Sequence, residues 1–157
     1  MSKLIGLSME LQRKQYPTIP EHARPKPKYT DKTSNGLTKC IIDWINFNGY
    51  QAERINSMGR PLDTRKSVKD VLGRTRTVGS IKWVKGQSQN GTADISATIK
   101  GRSVKIEVKC QGSGDRYQSQ AQKEYQKSIE KAGGVYIIAR TFQGFMNWYD
   151  RFVNARI

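Results

Sequence analysis

The sequence predicts an α/β domain built on a mixed sheet. Three observations lead there. Apolar residues recur at three-four spacing over 37–48, the period of one helix face. Two short runs at 94–99 and 103–109 flank Lys100-Gly101, the pattern of a hairpin. A helical stretch at 118–131 then separates the second of these strands from an apolar run at 135–139. A strand–helix–strand unit joins parallel strands, so an antiparallel hairpin and a parallel pair share one sheet.

Taken in order, residues 1–34 stand apart. Four of the five prolines lie between Pro17 and Pro27, and Lys3, Arg13, Lys14, Arg24, Lys26, Lys28 and Lys32 outnumber Glu10, Glu21 and Asp31. Proline at this density opposes helix and central strand. An extended basic arm with a short helix around 8–15, or a disordered tail, is expected. In the first helix Leu37, Cys40, Ile41, Trp44, Ile45 and Asn48 share a face, Ser34 or Asn35 can cap the start, and Gly49 stops it. Residues 50–56 suit a short strand. Residues 59–90 read as a long polar loop, in which Arg60, Arg65, Lys66, Lys69, Arg74, Arg76, Lys82 and Lys85 oppose Asp63 and Asp70, a net +6. After the hairpin and its helix, 135–139 is uniformly apolar, as in a strand buried on both faces. An aromatic-rich helix over 142–153 closes the chain. The expected division is an arm at 1–34 and one domain at 35–157, since 157 residues suffice for one full core and not for two.

Composition narrows the function. Lys and Arg total 28 against 13 Asp and Glu, a formal charge of +15. A field of that size draws polyanions, and nucleic acid is the expected partner. No apolar run approaches the roughly 20 residues of a membrane span, and the first residues lack a signal-peptide pattern. Two cysteines, Cys40 and Cys110, make no disulfide framework, and a reducing cytoplasm is expected. The lone histidine, His22, excludes zinc-finger spacing and a histidine-based triad. Catalysis, if present, must run on carboxylates and lysines.

Those groups meet in one place. In 103–109, Val104, Ile106 and Val108 alternate with Lys105, Glu107 and Lys109, so the charged set shares a face. The Lys100-Gly101 turn folds Asp94, which follows Gly91-Thr92-Ala93, back beside the Glu107–Lys109 end. Two adjacent carboxylates repel each other, and a hard divalent cation, Mg²⁺ or Mn²⁺, relieves that cost. Such an ion can polarise a phosphate and activate a water, with a neighbouring lysine stabilising charge. Metal-assisted phosphodiester hydrolysis fits. A Glu-x-Lys triplet alone is weak, because charge alternation also marks a solvated strand face. Ser119-x-x-Gln122 reads as a helix capping box, yet Gln122, Tyr125 and Ile129 share one face that turns the glutamine toward the sheet. Cys110 is expected to be a core thiol, and Trp83 and Trp148 core or interface residues.

Together Gly91-Thr92-Ala93-Asp94-Ile95, Lys105-Ile106-Glu107-Val108-Lys109, Gln122 and Ala132-Gly133-Gly134-Val135-Tyr136 resemble the VRR-NUC branch of the PD-(D/E)XK nuclease superfamily. The resemblance covers about 37–139. It implies a restriction-endonuclease-like αβββαβ core, Asp94 and Glu107 as metal ligands with the Val108 carbonyl as a further one, Lys109 as the catalytic lysine and Gln122 as the helix glutamine of the site. It also implies a phage- or prophage-like DNA endonuclease, possible action on branched DNA such as Holliday junctions, and a homodimer. One departure stands out. The family usually carries a glutamate near the start of its first helix, whereas here the region reads Ser34-Asn35-Gly36-Leu37-Thr38. The first acid, Asp43, is expected to face solvent. The alternatives are a non-catalytic nucleic-acid-binding module with a degraded site, and a basic assembly protein using its arm. For DNA contacts the candidates are Arg60, Arg65, Lys66, Arg74, Arg76, Lys82 and Lys85. The dimer surfaces expected are the arm and the second face of the last helix, Trp148 and Phe152.

Overall fold

The computed structural model describes residues 1–56, 59–84, 86, 89–110 and 116–155. In chain order the elements are α1 (Ser2–Gln15), a 3-10 turn (Glu21–Ala23), α2 (Ser34–Phe47), β1 (Gln51–Arg54), β2 (Arg60–Asp63), β3 (Lys66–Lys69), β4 (Thr75–Val78), β5 (Ile81–Val84), β6 (Ile95–Ile99), β7 (Arg102–Val108), α3 (Gln120–Lys131), β8 (Val135–Ala139) and α4 (Phe142–Asn154). They divide into two units, Met1–Ile55 with Asn90–Ile157, and Asn56–Gln89.

The first unit is mixed α/β. Its sheet runs β1-β6-β7-β8, antiparallel across the first three strands and parallel between β7 and β8. The α3 crossover therefore joins a parallel pair, as its place between two strands requires. Lys100 (φ 50) and Gly101 (φ 73) both adopt left-handed backbone, the turn whose twist matches a tight hairpin. That turn sets the register: Ile95 faces Ile106 and Ala97 faces Val104. With Ile99 and Val108 these residues form the sheet's buried apolar face. Leu37, Cys40, Ile41, Trp44 and Ile45 of α2 pack into the same core, with Phe142, Phe145, Met146 and Tyr149 of α4. The Trp44 ring stands edge-on to Phe142 and Tyr149, each at 6.1 Å. Each such fully buried aliphatic or Phe side chain is worth roughly 1.5–3 kcal/mol. Asn46 clamps α2 to the strand after it, donating to the Ala52 carbonyl at 3.1 Å and accepting from its N–H at 2.7 Å.

Several expectations need correction. The α2 cap is Thr33, whose hydroxyl accepts from the Gly36 N–H, and neither Ser34 nor Asn35 takes that role. Asn48 is exposed and closes the helix by donating to the Trp44 carbonyl at 2.7 Å. Among the described residues β8 is an edge strand, with β7 as its one neighbour, and Ile138 is 37% exposed, so the apolar run is not buried on both faces. The segment 1–34 is not an extended arm. Its first part is the 14-residue helix α1, which packs against α2 and buries Leu4 completely. The extended part that follows is anchored by polar side chains. Tyr29 donates to Asp43 at 2.8 Å, and Asp31 accepts from the Phe142 N–H at 3.1 Å through its carboxylate and from the Cys110 thiol at 3.2 Å through its carbonyl. Asp43 thus faces Tyr29, half-buried, and not open solvent.

The second unit replaces the expected loop with strands. β2 pairs with β5 and β3 with β4, both antiparallel. All four strands are exposed along their whole length, and Trp83, expected inside a core or interface, is 66% exposed. Trp148 and Phe152, named for a dimer surface, stack on each other at 4.8 Å, half-buried against their own core. Among the described residues no helix is long and apolar enough to cross a membrane.

If α1 belongs to the core, Leu4→Ala should lower the free energy of unfolding by about 2–4 kcal/mol in urea titrations. The neighbouring exposed Lys3→Ala should change it by less than about 0.5 kcal/mol. Equal midpoints for the two variants would return the segment to the status of a tail.

Candidate active site

The charged face of β7 is covered by α3 and flanked by β6 and β8, and this is where the titratable groups converge. Glu107 and Lys109 alternate with the apolar set and so point away from the aromatic core. Both are nevertheless buried, Glu107 at 2% and Lys109 at 1% exposure. Their side chains meet, Lys109 Nζ lying 3.3 Å from Glu107 Oε1. Asp94 ends the loop entering β6, and its Oδ2 accepts the Val108 N–H at 2.8 Å. That bond ties the Asp94 carboxylate to the strand carrying Glu107 and Lys109. The hairpin register, which places Ile95 opposite Ile106, puts Asp94 opposite Glu107.

Gln122 meets both of its alternatives at once. Its Oε1 accepts the Ser119 N–H at 2.9 Å while its own N–H donates to the Ser119 hydroxyl at 3.3 Å, a complete capping box. Its Nε2 donates to Glu107 Oε1. One amide therefore starts the helix with its oxygen and holds the carboxylate with its nitrogen. Gly91 makes this proximity possible. It sits at φ 79, and a Cβ there would strike the Ala121 carbonyl and the Gln122 nitrogen. The loop before Asp94 thus runs directly against the first turn of α3, which only a residue without a side chain allows.

Tyr136 was not anticipated as part of the site. It lies beside Lys105 in the parallel register, and its hydroxyl donates to Glu107 Oε2 at 3.4 Å. The available signal was a tyrosine inside an apolar strand, whose hydroxyl must find a partner when buried. The Tyr125 ring of α3 meets it edge-on at 6.3 Å. Burial raises the Tyr136 hydroxyl far above its ordinary pKa. On the same face, Lys105 donates to the Ser96 hydroxyl at 2.6 Å. Cys110 is buried at the strand end and turned toward Asp31, as a structural thiol would be.

The Glu107 carboxyl is pushed up to about 7, first by burial and then by the like charge of Asp94, while Lys109 and Tyr136 pull the other way. Among the described residues no group of three His, Cys, Asp or Glu gathers as a ready metal cage. The donor set nevertheless fits Mg²⁺ or Mn²⁺. It offers two hard carboxylates whose mutual repulsion a cation would relieve, and Mg²⁺ commonly uses one or two carboxylates, with waters and phosphate completing its shell. Among the described residues α2 brings no acid to these groups: Asn35 is exposed and Asp43 is engaged by Tyr29.

The DNA-contact candidates lie apart from these groups in sequence, and the described ones sit on the strands and turns of the second unit. Arg60, Lys66, Arg74, Arg76 and Lys82 are exposed there, and Arg65 is exposed and paired with Asp63 at 2.7 Å. Lys85 lies outside the described residues. No protein-family model matches the chain, and no curated protein matches it.

A carboxyl held protonated more tightly in the fold than in the unfolded chain stabilises the fold in acid. That contribution is lost as pH rises from the ordinary glutamate range, about 4.5, through about 7. In chelator, the wild-type free energy of unfolding should therefore fall more than that of Glu107→Gln between about pH 5 and pH 8, by on the order of 1–3 kcal/mol, with a matching drop in melting temperature. Added Mg²⁺ should narrow it. Identical pH profiles in thermal melts would assign the titration to another group.

Proposed function

We propose that the chain is a Mg²⁺- or Mn²⁺-dependent endonuclease that hydrolyses DNA phosphodiester bonds, with its αβββαβ order read as a restriction-endonuclease-like core. The observation that carries this reading is the meeting of Asp94, Glu107 and Lys109, with Gln122 on the Glu107 carboxylate. Asp94 and Glu107, with the Val108 carbonyl beside them, would hold the cation, which polarises a phosphate and lowers the pKa of a bound water. Lys109 supplies a buried positive charge for the negative charge that develops on the phosphate. Gln122 and Tyr136 keep the Glu107 carboxylate in place, and α3 and β8 limit water around it. The +15 body brings the polyanion to the site.

A second reading is favoured by one specific finding. Among the described residues two carboxylates meet here, Asp94 and Glu107, and α2 adds none. A nucleic-acid-binding module that retains the fold without efficient cutting fits that deficit. A two-fold dimer remains the economical way to cut both strands, but both surfaces named for it from the sequence are engaged within the chain.

Asp94→Ala and Glu107→Ala should each abolish cleavage of labelled plasmid and branched DNA in Mg²⁺ while leaving DNA binding intact. Lys109→Ala should slow single-turnover cleavage by about 100-fold or more, and Lys109→Arg should rescue poorly, because a planar fork does not replace a point charge in a closed space. Wild-type rates in the carboxylate variants would sink the site assignment, and cleavage by neither wild type nor variants would favour the binding module.

Replacing Arg74, Arg76 and Lys82 together by glutamine should weaken binding to DNA of any sequence. The slope of log affinity against log salt should flatten by about three phosphate units. An unchanged slope in fluorescence-anisotropy titrations would remove this unit from the binding surface.

A further inference from the structure

The unit Asn56–Gln89 has a form that its charge alone does not explain. β2–β5 and β3–β4 follow each other as one two-stranded ribbon, joined where the Thr64 N–H donates to the Ser80 carbonyl at 3.1 Å. Register places Arg60, Leu62, Lys82 and Val84 on one face of the first hairpin, and Lys66, Val68, Arg76 and Val78 on one face of the second. Each face is a checkerboard of two cations and two aliphatic side chains, all exposed. A two-stranded ribbon without a covering layer is marginal in water, so an exposed face of this kind points to a partner.

The tip is more unusual. Asp70 locks the turn: its Oδ1 accepts the N–H groups of Leu72 and Arg74, both at 2.9 Å, and its N–H donates to the Arg74 carbonyl at 2.9 Å. Such turns ordinarily carry polar residues at their apex. Here the apex is Val71 and Leu72, 102% and 72% exposed. Two apolar side chains are held out at the end of a basic stem.

Charge decides between occupants. A second copy would bring one +6 ribbon against another. A polyanion complements it, because Asp63 is taken by Arg65 and Asp70 by the turn. Among the described residues no carboxylate pairs with Arg60, Lys66, Lys69, Arg74 or Lys82. Two-stranded ribbons enter the major or the minor groove of B-form DNA, whereas the deep major groove of A-form RNA is too narrow to be read. Apolar side chains inserted between base steps unstack them and kink the duplex. We propose that this ribbon seats along a groove of duplex DNA with its cations on the flanking phosphates, and that Val71 and Leu72 form an apolar wedge that opens a base step and bends the DNA. The inference rests on the DNA-binding part of the function proposed above and not on catalysis.

The test uses the full chain in EDTA with a duplex of about 30 base pairs carrying a dye at each end, long enough to report a kink. Energy transfer should rise as wild-type protein saturates the duplex. Val71→Ser/Leu72→Ser should bind within about threefold of wild type, since its phosphate contacts are kept, and should leave the duplex straight. Its retained binding is the control for folding. Wild-type binding without a change in transfer would overturn the wedge, as would a tip variant that bends DNA like wild type. A free wild-type dimer that the tip variant dissociates would overturn it too, and would assign the ribbon to a second copy. Absence of DNA cutting in Mg²⁺ leaves these readouts unaffected, so a failed nuclease and a failed wedge are separable. Absence of any DNA binding would overturn both.

Discussion

Glu107, on an inner strand of the sheet, and Lys109, just past that strand's end, are charged side chains shielded from water almost completely. Moving an ion to that depth costs several kcal/mol, about as much as the fold gains from two or three well-buried apolar side chains. The cost is tolerable only if every lone pair and proton finds a partner, and the surrounding architecture is organised to supply them. Lys109 and Gln122 reach one oxygen of Glu107 and Tyr136 the other. Each partner comes from a different element, so the buried pair constrains β7, α3 and β8 together. Gly91 belongs to the same constraint, because α3 can approach Glu107 only if the loop leading to Asp94 lets its first turn pass.

The opposite face of the sheet bears the other half of the problem. It carries an ordinary dense core: aliphatic strands, the apolar face of α2 and the aromatic face of α4. The two faces divide the labour. One supplies stability through area removed from water, and the other holds charge in a geometry that water would not maintain. Even α1, polar over most of its surface, adds Leu4 and part of Leu7 to this core.

What was legible in the sequence was local. The Lys100-Gly101 turn, the apolar face of α2, the parallel crossover and the alternation of Glu107 and Lys109 all follow from periodicity and turn chemistry within a dozen or so residues. The turn then carried Asp94 to its place, because a hairpin's register is set by its turn. The rest depended on distant partners. α1 docks through Leu4 and has no side-chain cap to announce it. Asp31 ties its segment to Cys110 and Phe142, 79 and 111 residues away. β8 became an edge strand because no element among the described residues pairs beyond it, which its own apolar run could not reveal. The ribbon was hidden by its charge: four-residue strands in which cations alternate with aliphatics carry no half-buried pattern, since neither face is buried.

Gln122 shows how narrow a permitted vocabulary two adjacent demands can leave. A capping box accepts either glutamine or glutamate at this position, since both present an oxygen to the backbone N–H of Ser119. The bond to Glu107 needs an N–H on the same side chain. Glutamate would satisfy the helix and place a third carboxylate beside two that already repel each other. Asparagine has the right head group on a stem one methylene too short to span both partners. Lysine or arginine could serve Glu107 but would leave the helix end without its acceptor. Of these side chains only glutamine meets both demands, so a position that helix capping alone would leave open is narrowed by one neighbouring carboxylate.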